Sequence, residues 1–367
     1  MKTIAVIGAG NGGHSASYEL TRKGYAVHLY DVNADIIHGI RERGGIRATG
    51  KAEGFAPIPV LTTVLEEALE GAEAVLVMVP RFAHGILATQ LTTCIKEGQR
   101  ILLCPGSTFG ELEMASILWK GGRRFTVSSF ATLPYAARLK APGEIFISLL
   151  VHTLLFGSFP ARDTDAEAAY FHELFPGIQK VKSCLEIGLN NGNPVTHPAP
   201  ILLNAARVER GEDFLFYREG VSPTVARINE KVDRERLALC RGLGFREIPV
   251  TERLFLTGYA DRIYSSVFEA YQASEAFAPI VAPKSLKDRY VLEDIPYGLV
   301  SWASLGALLQ TPTPTMDLLI RLGSEIVGVD FYQEGTTLKR FGLGELGVNE
   351  ILRFVQEGRS PQVEWSV

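Results

Sequence analysis

The run Gly8-Ala9-Gly10-Asn11-Gly12-Gly13, set directly behind the apolar segment Thr3–Ile7, constrains the fold of this chain more than any other feature. The segment TIAVI has the β-branched, uninterrupted apolar character of a parallel strand buried on both faces. The glycines then fit G-x-G-x-x-G at Gly8, Gly10 and Gly13, and each has its own physical task. Gly8 permits a tight strand-to-helix turn, Gly10 lets the backbone approach a pyrophosphate, and Gly13 lets the helix pack against the strand. A helix from about Gly12 to Lys23 would aim its free N–H groups and positive dipole end at the phosphates, and Gly24 would end it.

A glycine turn alone is weak evidence, so its surroundings carry the reading. A second strand, Tyr25–Tyr30, ends in Asp31, about twenty residues beyond the turn, where a carboxylate can hold the adenosine ribose hydroxyls. The same charge repels a 2′-phosphate, so Asp31 favours NAD over NADP; its competing role is to cap a helix at Val32-Asn33-Ala34. The alternation continues through a helical stretch at Glu66–Leu69, a strand at Ala74–Val79 stopped by Pro80, a helix over Arg81–Ile95, and a strand at Arg100–Cys104. Ligands sit beyond the carboxyl ends of the strands in a doubly wound sheet. The loops Val79-Pro80-Arg81 and Pro105–Thr108 therefore join the expected cofactor site, whose members are Gly8, Gly10, Asn11, Gly12, Gly13, Asp31 and Pro80. Strand-like runs at 125–130, 144–151 and 179–181 predict that this sheet extends to a boundary near residues 183–190.

From about Asn190 the texture becomes helical, with apolar residues at three- and four-residue spacing over 199–208, 222–243, 261–277, 296–309 and 315–327. At 367 residues the chain exceeds one ordinary core. The expected architecture is α/β: a Rossmann domain with a doubly wound parallel sheet over 1–186, then an all-α substrate domain over 187–367. A net charge of −4 and a pI near 6.0 argue against nucleic acid as a partner. No apolar run reaches the roughly 20 residues of a membrane span. Met1-Lys2-Thr3 leads straight into strand pattern, which points to a cytoplasmic protein without a signal peptide. Cys94, Cys104, Cys184 and Cys240 have no metal-binding spacing and read as buried thiols of a reducing compartment, so no metal is expected. Helical C-terminal domains on this plan often pair, which makes a homodimer one expectation.

Hydride transfer needs a group that moves a proton and a group that orients the substrate. Of the seven histidines, His28 falls in a strand, His38 and His172 on helix surfaces, and His14 just past the glycine turn. His197 differs, because it lies in the polar, proline-framed stretch Asn190–Pro198 that leads into the first long helical pattern of the second half. It is either a catalytic imidazole or a capping histidine. In Asp288–Gly298, Arg289 could hold a carboxylate by a two-point contact and Asp294 could orient a histidine. Their competing roles are a solvated surface charge for Arg289 and a helix N-cap ahead of Pro296 for Asp294.

Taken together, these residues resemble the opine dehydrogenases of the octopine/nopaline type. The resemblance is carried by Gly8–His14, Asn193-Pro194-Val195-Thr196-His197-Pro198, Leu202–Arg207, Arg289-Tyr290 through Glu293-Asp294, and Glu334–Leu338 with Gly342-Leu343. These blocks run in order along nearly the whole chain. The resemblance implies that His197 is the proton donor and acceptor, that Asp294 is its partner, and that Arg289 helps bind the keto-acid carboxylate. It implies reductive condensation of an α-keto acid such as pyruvate with the amino group of an amino acid, using NAD(P)H.

The segment Ser128–Arg138 departs from the family pattern where relatives line the substrate pocket, so the amino-acid partner stays unread; Arg138 is a second candidate carboxylate clamp. Two other readings share the two-domain plan: a simple keto-acid reductase of the ketopantoate or 3-hydroxyacid type, and a non-catalytic NAD-binding protein. The reductases rely on a lysine at the active site, and none lies within the His197 or Arg289–Asp294 blocks.

Overall fold

The computed structural model describes residues 2–363 and 365. They form two compact units, one built from 2–106 and Gly110–Cys184 and the other from Ser107–Phe109 and Leu185–Val363. Trp365 belongs to the first unit, where its ring meets those of Trp119 and Phe159.

The first unit begins with β1 (Thr3–Ile7), α1 (Asn11–Arg22), β2 (Ala26–Tyr30), α2 (Ala34–Glu42), β3 (Ile46–Gly50), β4 (Gly54–Ala56) and β5 (Val60–Thr62). It continues with α3 (Leu65–Leu69), β6 (Ala74–Val77), α4 (His84–Cys94), β7 (Arg100–Leu103), α5 (Gly110–Lys120) and β8 (Val127–Phe130). Then come β9 (Tyr135–Ala141), β10 (Glu144–Leu150), β11 (Leu154–Phe159), α6 (Thr164–Leu174) and β12 (Ile178–Lys180). Eight strands form one sheet in the order β12-β11-β8-β7-β6-β1-β2-β5. All of its pairings are parallel except β8 with β11. The chain moves outward from β1 through β2 to β5 and then returns to β6 on the other side of β1, the reversal that defines a doubly wound sheet. Strand β6 is buried throughout, and β1 and β7 are buried along all but their first residue.

The run over 144–151 is a strand, but it does not extend this sheet. As β10 it belongs to a separate four-stranded sheet, β4-β3-β10-β9, pairing in parallel with β3 and antiparallel with β9. Alternating burial along β10 is equally compatible with either sheet, and only the non-local pairing with β3 decides it. The consequence falls on α1, which packs on β1 and β2 and also on β3, β4, β9 and β10. That cover explains why His14, Ser15 and Ser17 are buried. His14 is a structural tie: its Nε2 accepts from the Gly143 N–H at 3.0 Å, and its Nδ1 lies 3.2 Å from the Gly10 carbonyl.

The second unit is helical. After α7 (Cys184–Leu189) come α8 (Asn193–Thr196), α9 (Pro198–Leu203), α10 (Ala205–Glu209), α11 (Pro223–Gly242), α12 (Val250–Thr257) and α13 (Val267–Ala273). They are followed by α14 (Arg289–Leu292), a π-helical turn at Ile295–Leu299, α15 (Val300–Leu308), α16 (Pro314–Val327), α17 (Phe331–Glu334) and α18 (Val348–Glu357). Proline opens α11 and α16, and left-handed glycines close α12, α16 and α18. Two expected helices are shorter than their periodicity suggests. Helix 261–277 is confined to α13, because Ser266 caps it by accepting from the Glu269 N–H at 3.2 Å. Helix 199–208 breaks at Asn204, whose amide turns back to the carbonyls of Pro200 and Gly220.

Candidate active site

In the first unit the glycine turn has the geometry that its sequence requires. Gly8 stands at φ +104°, and a Cβ on Gly13 would lie 1.7 Å from the Gly8 carbonyl oxygen, so strand and helix close on each other only without side chains. Gly10 is different. Its φ of −78° and ψ of −160° suit any residue, and a Cβ there would meet nothing within 4 Å. Neither packing nor backbone asks for glycine at this position, and the space it leaves lies at the N-terminus of α1. That is what a pyrophosphate needs, and it is the structural observation by which these residues fit a dinucleotide. Asp31 ties the end of β2 to the turn: Oδ2 accepts from the Ala9 N–H at 2.6 Å and Oδ1 from the Asn33 N–H at 2.8 Å. Asn33, not Asp31, caps α2. Each Asp31 oxygen keeps a lone pair for a ribose hydroxyl.

The other expected cofactor residues have local roles. The Asn11 side chain accepts from the Leu139 N–H at 2.7 Å, which fixes the start of α1 against β9. Gly12 faces Leu133, whose methyl would lie 2.9 Å from a Cβ. Pro80 is exposed and opens the short 3-10 turn Arg81–Ala83 beyond β6. Arg138 is an exposed residue of β9 in this unit, with no ion pair among the described residues.

The second unit brings His197 and Asp294 together across 97 residues, with Nδ1 of the imidazole 2.7 Å from Oδ2 of the carboxylate. His197 sits at the joint of α8 and α9, where Pro198 lacks the N–H that would continue the helix. Asp294 leads into the π-helical turn, but its side chain caps nothing and turns to the imidazole instead. Tyr290 stacks on the imidazole with centroids 3.8 Å apart at 14°. Asp288 holds that tyrosine by accepting from its N–H at 3.0 Å. On the far side of the ring, Nε2 lies 2.9 Å from the Tyr217 hydroxyl. With Nδ1–H directed at Asp294, Nε2 is the acceptor and Tyr217 the donor.

Both partners of the pair are buried. Burial pushes the Asp294 carboxyl up to about 7, against the Arg289 charge, which lowers it. Burial also pushes His197 well below the usual imidazole range, and Arg289 adds to this. Both directions favour the proton-bearing pair, which has no net charge; once that proton leaves, the pair carries one negative charge, with Nδ1–H facing the Asp294 carboxylate and Nε2 accepting from Tyr217. Arg289, first residue of α14, is exposed, and its guanidinium makes no ion pair or hydrogen bond among the described residues. The second unit thus combines a buried imidazole–carboxylate pair with a guanidinium that makes no ion pair or hydrogen bond among the described residues.

Tyr217 was not foreseen from the sequence. It lies in the aromatic run Phe214–Tyr217, which reads as core, and nothing in its spacing links it to His197. Tyr290 sits inside the Arg289–Asp294 block, but its stacking role has no local signature.

Residues 180–327 match the family model described as NAD/NADP octopine/nopaline dehydrogenase, alpha-helical domain, and residues 3–106 match the NAD-dependent glycerol-3-phosphate dehydrogenase N-terminus. The chain is 35% identical over 347 residues to an opine dehydrogenase of Arthrobacter sp. (strain 1C), covering 94% of this chain and 96% of that protein. It is 28% identical to a vitopine synthase of Allorhizobium ampelinum, over 94% of this chain and 96% of the other. A solved octopine dehydrogenase with NADH and L-arginine shares the fold, with a TM-score of 0.78 and 20% identity over 98% of this chain and 99% of that one. The N-terminal dinucleotide fold, the helical second unit and the extent of the match to the Arthrobacter enzyme lead to one conclusion: the chain belongs to the opine dehydrogenase family of NAD-dependent oxidoreductases acting on CH–NH donors.

Proposed function

We propose that this chain condenses an α-keto acid with the amino group of an amino acid and reduces the resulting imine, and runs the reverse oxidation. Solved octopine dehydrogenase structures hold NADH with L-arginine or with pyruvate, which sets the two substrate classes for this reading. Bound NADH supplies the hydride for the imine carbon. The glycine turn and Asp31 would hold it by phosphate and ribose.

The observation that carries the reading is the buried His197–Asp294 pair with Arg289 free beside it in sequence. Nε2 of His197 is the atom that gives a proton as the carbonyl oxygen leaves as water, and takes one back in the oxidative direction. Asp294 keeps Nδ1–H fixed, so Nε2 points at the reacting group. Because the pair can hold or yield a proton around neutrality, it performs both tasks without building charge in a buried place. Arg289 binds the keto-acid carboxylate through charge-assisted hydrogen bonds, which orients the carbonyl.

The test follows NADH absorbance with pyruvate and a panel of amino acids. Oxidation that requires an amino acid is the expected result. Oxidation with pyruvate alone would make the chain a simple keto-acid reductase, and none with any keto acid, despite NADH binding, would overturn the reading.

A further inference from the structure

The product of the proposed reaction carries two carboxylates, one from each substrate, and Arg289 accounts for one of them. A second guanidinium, that of Arg253 in α12, has no ion pair or hydrogen bond among the described residues. It is half-buried, so its charge has given up part of its hydration without a counter-ion in return. The acid that could neutralise it is already engaged. Asp233 Oδ1 accepts from Arg236 Nε and Nη2 at 2.9 and 2.7 Å, while Oδ2 accepts from the Val250 N–H at 2.9 Å. Arg236 also donates to the carbonyls of Leu189 and Ile248, through Nη1 and Nη2 at 2.9 and 2.6 Å.

The chain also makes room for Arg253. Gly192, the N-cap of α8, has φ −80° and ψ −16°, a conformation open to every residue. A Cβ there would lie 1.7 Å from Nη2, 1.9 Å from Cζ and 2.5 Å from Nη1 of Arg253. The guanidinium therefore rests on bare backbone at the start of the short helix that ends at His197. That helix is fixed from the other side: the Tyr271 hydroxyl donates to Thr196 Oγ1 at 3.0 Å, and Thr196 donates to the Gly192 carbonyl at 2.8 Å. The charges of Arg289 and Arg253 both act on the His197 imidazole.

We propose that Arg253, seated on Gly192, is the second carboxylate clamp and receives the carboxylate of the amino-acid substrate. This rests on the opine dehydrogenase reading above, and two-point pairing with the planar guanidinium is the recognition it implies.

Two probes separate this role from a structural one. 2,2′-Iminodipropionate has both carboxylates; N-ethylalanine has the same skeleton with one removed. Binding of each to the NAD-loaded protein would be measured by calorimetry for wild type, R253Q, R253K and G192A, with unfolding midpoints as a check on folding. Wild type should prefer iminodipropionate about tenfold or more, since charged hydrogen bonds are the strong ones. R253Q should bring that ratio close to one by weakening only the dicarboxylate, R253K should restore part of it, and G192A should lower it with the charge still present. Equal weakening of both probes by R253Q, an unchanged ratio, or a wild type without preference would overturn the proposal. Because binding is read without turnover, a chain that clamps the dicarboxylate yet turns over no substrate pair would sink the catalytic reading and leave this one standing.

Discussion

Nδ1 of His197 and Oδ2 of Asp294 stand 2.7 Å apart, both side chains buried, at the junction of two short helices and the mouth of a π-helical turn. Removing either member should therefore cost turnover without disturbing the dinucleotide fold of the first unit. His197→Ala and Asp294→Asn are each expected to lower kcat by about 10²–10⁴-fold, the range for a positioned proton carrier. NADH affinity, measured by fluorescence titration, should stay within about twofold of wild type. A parallel loss of NADH binding would assign His197 a structural role.

The same pair is expected to set a pH dependence of turnover. Burial raises the Asp294 carboxyl to about 7, so the proton-bearing pair is depleted as pH rises through that value. Reductive kcat/KM for the keto acid, measured at a constant concentration of free-base amine, should fall through this region, and the oxidative rate should rise. Tyr217 donates to the unprotonated Nε2 and so disfavours the imidazolium. Tyr217→Phe should move the midpoint to higher pH; a shift downward would mean that the hydroxyl accepts instead.

On the proposed reading, cofactor choice is expected to depend on Asp31. Repulsion between unit charges about 4 Å apart is of order 1–4 kcal/mol in partly solvated surroundings. Asp31→Ala should then shift preference toward NADPH by roughly tenfold or more. The ratio of kcat/KM values for the two cofactors reads this directly, and an unchanged ratio would leave Asp31 as an anchor for the Ala9 N–H alone.

His84 in the first unit is buried, and its imidazole is held down at about 3 by that burial and by the Arg81 charge. Its unfolded value is near 6.5, so the unfolded chain binds the proton first as pH falls. The stability that His84 confers is complete above about 6.5 and declines by roughly 1.4 kcal/mol per pH unit below it. The difference in unfolding midpoint between wild type and His84→Gln should shrink from pH 7 to pH 5. A constant difference would place the ordinary histidine value in the folded state.

Gly13→Ala tests the close approach of α1 to β1. A Cβ 1.7 Å from the Gly8 oxygen cannot be accommodated without moving backbone. A loss of about 1–3 kcal/mol in denaturant unfolding is expected, together with weaker NADH binding.

Most of the dinucleotide fold was legible because its signals are local. Strand β1, the glycine turn, β2 and Asp31 follow one another within a single supersecondary unit. The second sheet was not, because β3 is a short, half-exposed strand and β10 carries the same alternation whichever sheet it joins. Of the site, His197, Asp294 and Arg289 could be singled out by residue type and by family resemblance, yet the contact between the first two spans 97 residues and has no periodic trace. Tyr217 was hidden for a related reason: a tyrosine in an aromatic run packs as core whatever its hydroxyl does, and here it does both. Arg253 was masked among ordinary helix charges, since an arginine without a counter-ion looks like any other until its neighbours are counted.

Gly10 and Gly192 share a property with a practical consequence. Both hold backbone angles that alanine adopts freely. Alanine at such positions narrows the unfolded ensemble and commonly adds about 0.4–1 kcal/mol of stability. A screen for thermostability alone would therefore accept methyl groups at both places, provided that Arg253 swings aside from Gly192. The hardened protein would have lost the bare backbone on which its anionic ligands, or the arginine that meets them, come to rest.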